Sequence, residues 1–166
     1  MATAGKNLSA YNLGNLPNSA HFRVGIVVSR WNPDITFALR DGAVEVFRAA
    51  GIPEASQRIV EVPGAFELPL GAASLLDAHP ELDGVVCIGN VIRGETAHFD
   101  YVCAGAADGI QRVALDYKKP VMFCVLTDEN KAQSIARSGG EHGNKGVECA
   151  VACLEMIALQ QALQTA

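Results

Sequence analysis

A chain of 166 residues suits a single domain and is long enough to bury a sizeable core. With 49% hydrophobic and 19% charged residues the composition is that of an ordinary globular protein, and 13 basic against 18 acidic side chains leave a net charge of −5. No Lys/Arg block runs through the sequence, and the longest apolar runs, 84–89 and 120–126, are far too short for a bilayer, so neither nucleic acid nor a membrane is an expected partner.

Residues 1–20 are polar, carry Pro17 and several asparagines, and read as an N-terminal arm, either disordered or docked on a neighbour. They lack the apolar core of a secretory signal and the arginines of a transit peptide. Residues 21–166 form the single expected domain. "HFRVGIVVS" (21–29), rich in β-branched residues, predicts a strand buried on both faces. "NPDITFALRDGAVEVFRAAG" predicts a helix with Asp34 as N-cap, an apolar face of Ile35, Leu39, Val46 and Phe47, and a stop at Gly51 and Pro53. "SQRIVEVP" (56–63) is the second strand. "GAFELPLGAASLLDAH" (64–79) is the second helix, in which Pro69 is tolerable only near the first turn. "DGVVCIG" (83–89) is the third strand, followed by a turn and a helix from about His98 to Tyr117. "PVMFCVLT" (120–127) is the fourth, and the helices "ENKAQSIARS" and "NKGVECAVACLEMIALQQAL" follow, separated by the loop "GGEHG".

Four apolar strands alternating with helices imply a flavodoxin-like three-layer α/β/α sandwich with a four-stranded parallel sheet. The five cysteines, Cys87, Cys103, Cys124, Cys149 and Cys153, are odd in number, lie in apolar segments and form no C-x-x-C pair. Cys149 and Cys153 stand one helical turn apart, which suits a core stripe better than a metal site. Reduced, structural thiols and a cytoplasmic location are expected.

In this architecture ligands sit beyond the carboxyl ends of the strands. That rule selects 30–32, 63–67, 90–98 and 127–130. "GNVIRGET" (89–96) has the spacing of a phosphate loop, but Glu95 stands where the lysine belongs, which argues against a triphosphate. Backbone amides at a helix start still suit one phosphate whose countercharge comes from elsewhere, and a ligand-free turn is the other reading. His98 follows, at a helix start, where the dipole disfavours its imidazolium and leaves a proton acceptor; a solvated or capping histidine is the alternative. Trp31 and Phe66 either close the core or form a stacking wall for a flat heterocycle. Glu67 either accepts hydrogen bonds from ligand hydroxyls or answers the helix dipole. Arg137 and Lys145 flank "SGGEHGNKG" and suit an anion or a solvated helix end. No metal-ligand spacing, G-x-S-x-G or Ser-His-Asp arrangement is present in the sequence, so no metal is expected.

"SRWN", "VPGAFELP", "GNVIRGETAHFDYV" and "GNKGVECA", in this order from about Phe22 to Leu159, resemble the lumazine synthase family of riboflavin biosynthesis. The resemblance implies condensation of 5-amino-6-(D-ribitylamino)uracil with 3,4-dihydroxy-2-butanone 4-phosphate, without a cofactor. It implies that Trp31 stacks on the pyrimidine, that Ala65, Phe66 and Glu67 hold the ribityl chain and ring, and that Asn90, Val91 and Ile92 read the pyrimidine edge. Glu95 and Thr96 match the phosphate turn and His98 the proton-transfer residue. Phe123, Arg137 and Lys145 match positions supplied by an adjacent subunit, Arg137 as the phosphate's countercharge. Asn90 replaces a common Thr or small residue, Trp31 the usual Phe, and Glu141 a basic residue. Family members form pentamers, some closed into icosahedral shells. The short 139–143 loop matches shell-forming members, while Pro17 opposes docking of the arm as an extra strand. The rival expectations are a flavin- or lumazine-binding carrier and an inactive shell protein.

Overall fold

The computed structural model describes residue 7 and residues 9–165. Strand β1, Val24–Ser29, is buried along its whole length, as a central parallel strand must be. Helix α1, Pro33–Ala49, begins on Pro33, whose fixed φ and missing N–H suit the first helical position. The residue before it, Asn32, takes the left-handed conformation at φ 56° and is the N-cap. The expected cap, Asp34, instead lies within the first turn, where its carboxylate pairs with Lys131 at 2.7 Å. Gly51, at φ 81°, reverses the chain after the helix, as expected.

Strand β2, Gln57–Val62, is followed by a 3₁₀ turn, Ala65–Glu67, and by helix α2, Leu68–Ala78, with Pro69 in its first turn. Strand β3, Gly84–Ile92, leads to helix α3, His98–Tyr117; strand β4, Val121–Asp128, leads to helix α4, Lys131–Arg137. The expected loop at 139–143 is a small antiparallel hairpin, β5 (Ser138–Gly140) with β6 (Gly143–Asn144), before helix α5, Lys145–Thr165.

The main sheet is four-stranded and parallel, in the order β2-β1-β3-β4. Alternate residues feed its two faces. Val24, Ile26 and Val28 of β1 pack with α1 and α5, whereas Val27, Val85 and Cys87 pack with α2 and α3. The fold is the expected flavodoxin-like sandwich. As an edge strand, β2 exposes the side chains from Arg58 to Glu61. Strand β3 runs three residues past the expected end, pairing in register through Ile92↔Asp128. Only the second half of "GNVIRGET" is therefore a turn.

Cys149 and Cys153 are buried in α5, and all five cysteines are free. By length and composition α5 could cross a bilayer, which the short apolar runs did not suggest. Here one of its faces, including Leu154 and Ile157, forms core against α1 and the sheet. Of the expected arm, residues 1–6 and 8 lie outside the described residues. Among the others, Tyr11 and Leu16 rest on the α1–α5 core, and the Asn144 N–H donates to Ser9 Oγ at 2.9 Å.

Candidate active site

A cavity of about 600 Å³ opens at the carboxyl ends of β1, β2 and β3, beside the first turn of α3. Its walls begin with Trp31. The Arg30 N–H donates to Val62 O at 2.9 Å and carries the β1–β2 pairing one residue past the strand. The Trp31 N–H then donates to Ser29 Oγ at 3.1 Å, which turns the indole out over the cavity mouth. Trp31 is 69% exposed and Phe66 58% exposed, so neither closes the core; both line the cavity. Ala65 and Glu67 line it from the same 3₁₀ turn.

Asn90, Val91 and Ile92 all reach the lining, but the pleat divides them. The Asn90 side chain is held by its neighbours. Its Oδ1 accepts from Asn32 Nδ2 at 2.7 Å and its Nδ2 donates to Ser134 Oγ at 2.8 Å, while Ser134 Oγ donates to Asp128 Oδ2 at 2.7 Å. Asn90 is only 2% exposed, and its amide oxygen and nitrogen each make one hydrogen bond within this network.

The turn after β3 is braced by Arg93. Its guanidinium lies over the Phe99 ring at 4.1 Å and pairs with Glu129 at 2.9 Å and Asp100 at 3.1 Å. The hydrogen bond to Glu129, then that to Asp100, pushes the Arg93 pKa above its ordinary value. The clamp ties the end of β4 to the first turn of α3, where His98 stands. The His98 side chain lines the cavity, and its backbone N–H donates to Thr96 Oγ1 at 3.4 Å. Thr96 lines the cavity as well; Glu95 is exposed outside it.

Among the described residues that line the cavity there is no lysine or arginine. Phe123, Arg137 and Lys145 all lie elsewhere, on the side of the molecule formed by β4, α4 and α5. Phe123 is exposed on edge strand β4, Arg137 ends α4 with Nη1 donating to Gln133 O at 3.0 Å, and Lys145 opens α5 with Nζ 2.8 Å from Glu148. The spacing of "GNKG" now has a physical cause. Asn144 Oδ1 accepts from the Gly146 N–H and its Nδ2 donates to Ala38 O, both at 2.8 Å, locking the start of α5 to α1. A Cβ on Gly146 would lie 1.9 Å from Leu39 O, so only glycine allows that approach.

Phe99, Tyr101 and Val102 also line the cavity and escaped the sequence reading. The signal was available: Tyr101 and Val102 stand three and four places after His98, on its helical face. No group of three or more His, Cys, Asp or Glu side chains that could hold a metal occurs among the described residues.

A cavity with aromatic walls, one carboxylate and a helix-start histidine, set at the strand ends of a doubly wound sheet, defines a small-molecule α/β site of flavodoxin-like type. The sequence pattern of 6,7-dimethyl-8-ribityllumazine synthase matches residues 21–161. Proteins of that name from Christiangramia forsetii and Flavobacterium johnsoniae are 47% and 49% identical over 161 and 163 residues, covering 97% of this chain in each case and 96% and 84% of theirs. One from Cytophaga hutchinsonii is 49% identical over 158 residues, or 95% of this chain and 98% of its own. The chain belongs to the 6,7-dimethyl-8-ribityllumazine synthase family.

Proposed function

We propose that the protein condenses 5-amino-6-(D-ribitylamino)uracil with 3,4-dihydroxy-2-butanone 4-phosphate to 6,7-dimethyl-8-ribityllumazine, phosphate and water. This is a transferase reaction, the penultimate step of riboflavin biosynthesis. The observation that carries the reading is the joining of Trp31, Phe66, Glu67 and His98 in one cavity at the strand ends, within a chain whose relatives bear that enzyme's name.

The chemistry asks little of the protein beyond placement. The uracil's 5-amino group attacks the ketone and expels water to form an imine; proton loss then expels phosphate. The enol this leaves tautomerises, so that the carbon bearing the former 3-hydroxyl becomes a carbonyl, and the ribitylamino nitrogen closes the ring there with loss of a second water. No step needs a protein nucleophile, and holding two reactants together supplies up to about 7–11 kcal/mol. Trp31 and Phe66 sandwich the pyrimidine, Ala65 and Glu67 take the ribityl chain, and the backbone of 90–92 presents hydrogen bonds to the ring edge. His98 moves the protons. Thr96 and the turn amides, with Glu95 at their rim, receive the phosphate. No cofactor takes part.

Among the described residues the lining holds no lysine or arginine for a phosphate ester, which supports a countercharge supplied by a second copy of the chain. Arg137, with Lys145 and Phe123, completes the neighbour's cavity, and the working unit is a homopentamer, as a free ring or closed into an icosahedral shell. The five free cysteines suit a cytoplasmic location, without nucleic acid or membrane as partner. Mixing the purified protein with both substrates should produce lumazine absorbance and stoichiometric phosphate. Tight lumazine binding without turnover would establish the non-catalytic carrier instead. Light scattering separates ring from shell.

A further inference from the structure

Four polar side chains, joined by three hydrogen bonds, form a directed chain under the cavity floor. Asn32 donates to Asn90, Asn90 to Ser134, and Ser134 to the carboxylate of Asp128, at 2.7, 2.8 and 2.7 Å. The direction is fixed from one end: the carboxylate oxygen accepts, so the serine oxygen is left to accept from the Asn90 amide, whose carbonyl then accepts from Asn32. Asn90 is 2% exposed and Ser134 fully buried, and no buried side-chain nitrogen or oxygen among the described residues lacks a partner. A satisfied buried network of this kind holds its members in one arrangement.

What the chain connects gives it meaning. Asn32 immediately follows Trp31 and is the left-handed hinge on which that turn closes. Ser134 sits one helical turn before Arg137 on α4, a helix of seven residues, too short to stand without tertiary anchors. Its other ties include the exposed Lys131–Asp34 pair at 2.7 Å, the Asn130 cap, whose Oδ1 accepts from the Gln133 N–H at 3.1 Å, and two bonds from neighbouring backbone N–H groups, that of Glu129 to Gln133 Oε1 and that of His142 to Ala136 O, both at 2.9 Å. Ser134 is its buried anchor.

We propose that Asn90 is a positioning residue with two arms. Through Asn32 it holds the Trp31 wall of its own cavity; through Ser134 it holds the helix that presents Arg137 to the neighbouring cavity. The second arm rests on the assignment of Arg137 given above. One amide thus sets the pyrimidine half of one site and the phosphate half of the next, and cutting each arm affects a different substrate.

The test is steady-state kinetics on assembled Asn32→Gly and Ser134→Ala oligomers, with both substrates varied and Arg137→Ala alongside. Glycine accepts the left-handed backbone of position 32, so that variant removes the bond and leaves the turn intact. Asn32→Gly, which removes one hydrogen bond, should raise KM for the pyrimidine about tenfold and leave that of the phosphate ketone alone; Ser134→Ala, which removes the bonds to both Asn90 and Asp128, should do the reverse, by about tenfold or more. In both, kcat should stay within about threefold. Equal changes in both KM values, or a fall in kcat alone, would overturn the proposal and leave the network a fold-stabilising one. If Arg137→Ala leaves the phosphate ketone's KM unchanged, the assignment of Arg137 fails, and the Asn32→Gly result decides the first arm by itself. Should Ser134→Ala not assemble, an unchanged pyrimidine KM in Asn32→Gly overturns the proposal.

Discussion

The ring of Phe66 lies so close to Gly105 of α3 that a Cβ at position 105 would fall 2.5 Å from its Cε2. The same helix makes room for the next part of the segment one turn on, where a Cβ on Gly109 would meet Pro69 at 2.6 Å. Two glycines four residues apart thus let the 65–69 segment lie against α3, and the position of the Phe66 wall is set from behind. Gly105→Ala should therefore be a binding variant and not a folding one. Phe66 is exposed enough to swing away, and alanine gains ~0.5–1 kcal/mol over glycine within a helix. The melting temperature should hold or rise slightly, while KM for the pyrimidine rises about two- to tenfold, the worth of one aromatic stack. An unchanged KM would show that the ring's position is immaterial to binding.

Among the described residues that line the cavity, His98 is the one imidazole. If placement dominates the condensation, His98→Ala should lower kcat by no more than ~10²–10⁴-fold, the usual worth of acid–base assistance, and measurable turnover should survive. Single-turnover lumazine formation with excess enzyme reads this directly. Total loss in a correctly assembled oligomer would mean that the histidine does more than move protons.

Arg137 lies outside the cavity of its own chain, with its guanidinium donating to Gln133 O. Its replacement by alanine should remove a charge-assisted contact worth ~1.5–3 kcal/mol and raise KM for the phosphate ketone roughly ten- to a hundredfold, with little change for the pyrimidine. Mixed assemblies give a sharper version. Combining Arg137→Ala chains with His98→Ala chains should restore full sites at those interfaces where an intact cavity meets an intact arginine. Activity no higher than the average of the two parents would place Arg137 and His98 in the same chain's site.

Much of this was legible in the sequence, because buried parallel strands are apolar and their ends fall where turn residues begin. His98–Tyr117 and the core stripe of α1 follow from pattern alone. What misled was local chemistry whose meaning depends on a distant partner. Gly89 looks like the end of a strand, yet β3 continues past it, and the glycine is there because a Cβ would come within 2.9 Å of Leu68 Cδ1. Asp34 looks like a cap, but Pro33 moves the helix start back to Asn32. Asn90 sits at a strand end as a ligand-reading residue would, and only the fold reveals Ser134, forty-four residues away, as its partner. The strand at 56–63 was legible, but its place at the edge of the sheet, which leaves Ile59 and Val60 exposed, was not.

The buried thiols give the native state a pH limit of its own. Burial first, and then the neighbouring Cys149, pushes the Cys153 pKa from 9.0 up to about 12, and burial raises that of Cys87 as well. These native values lie above those of the unfolded chain. Below about pH 9 both states keep the thiols protonated and their full contribution to stability is present. Above it the unfolded chain releases protons that the native state retains, so stability falls until the pH passes about 12. Each such thiol should remove ~1.4 kcal/mol per pH unit within that window. Urea midpoints measured at pH 8 and pH 10.5 should show a steep loss in the native sequence. In Cys153→Ala the starting stability should be lower, from the lost sulfur packing, but the fall between the two pH values should be shallower by about 2 kcal/mol, the share of one thiol over that interval. Parallel falls in the two proteins would mean that Cys153 ionises as easily when folded as when unfolded, and that other groups set the alkaline limit.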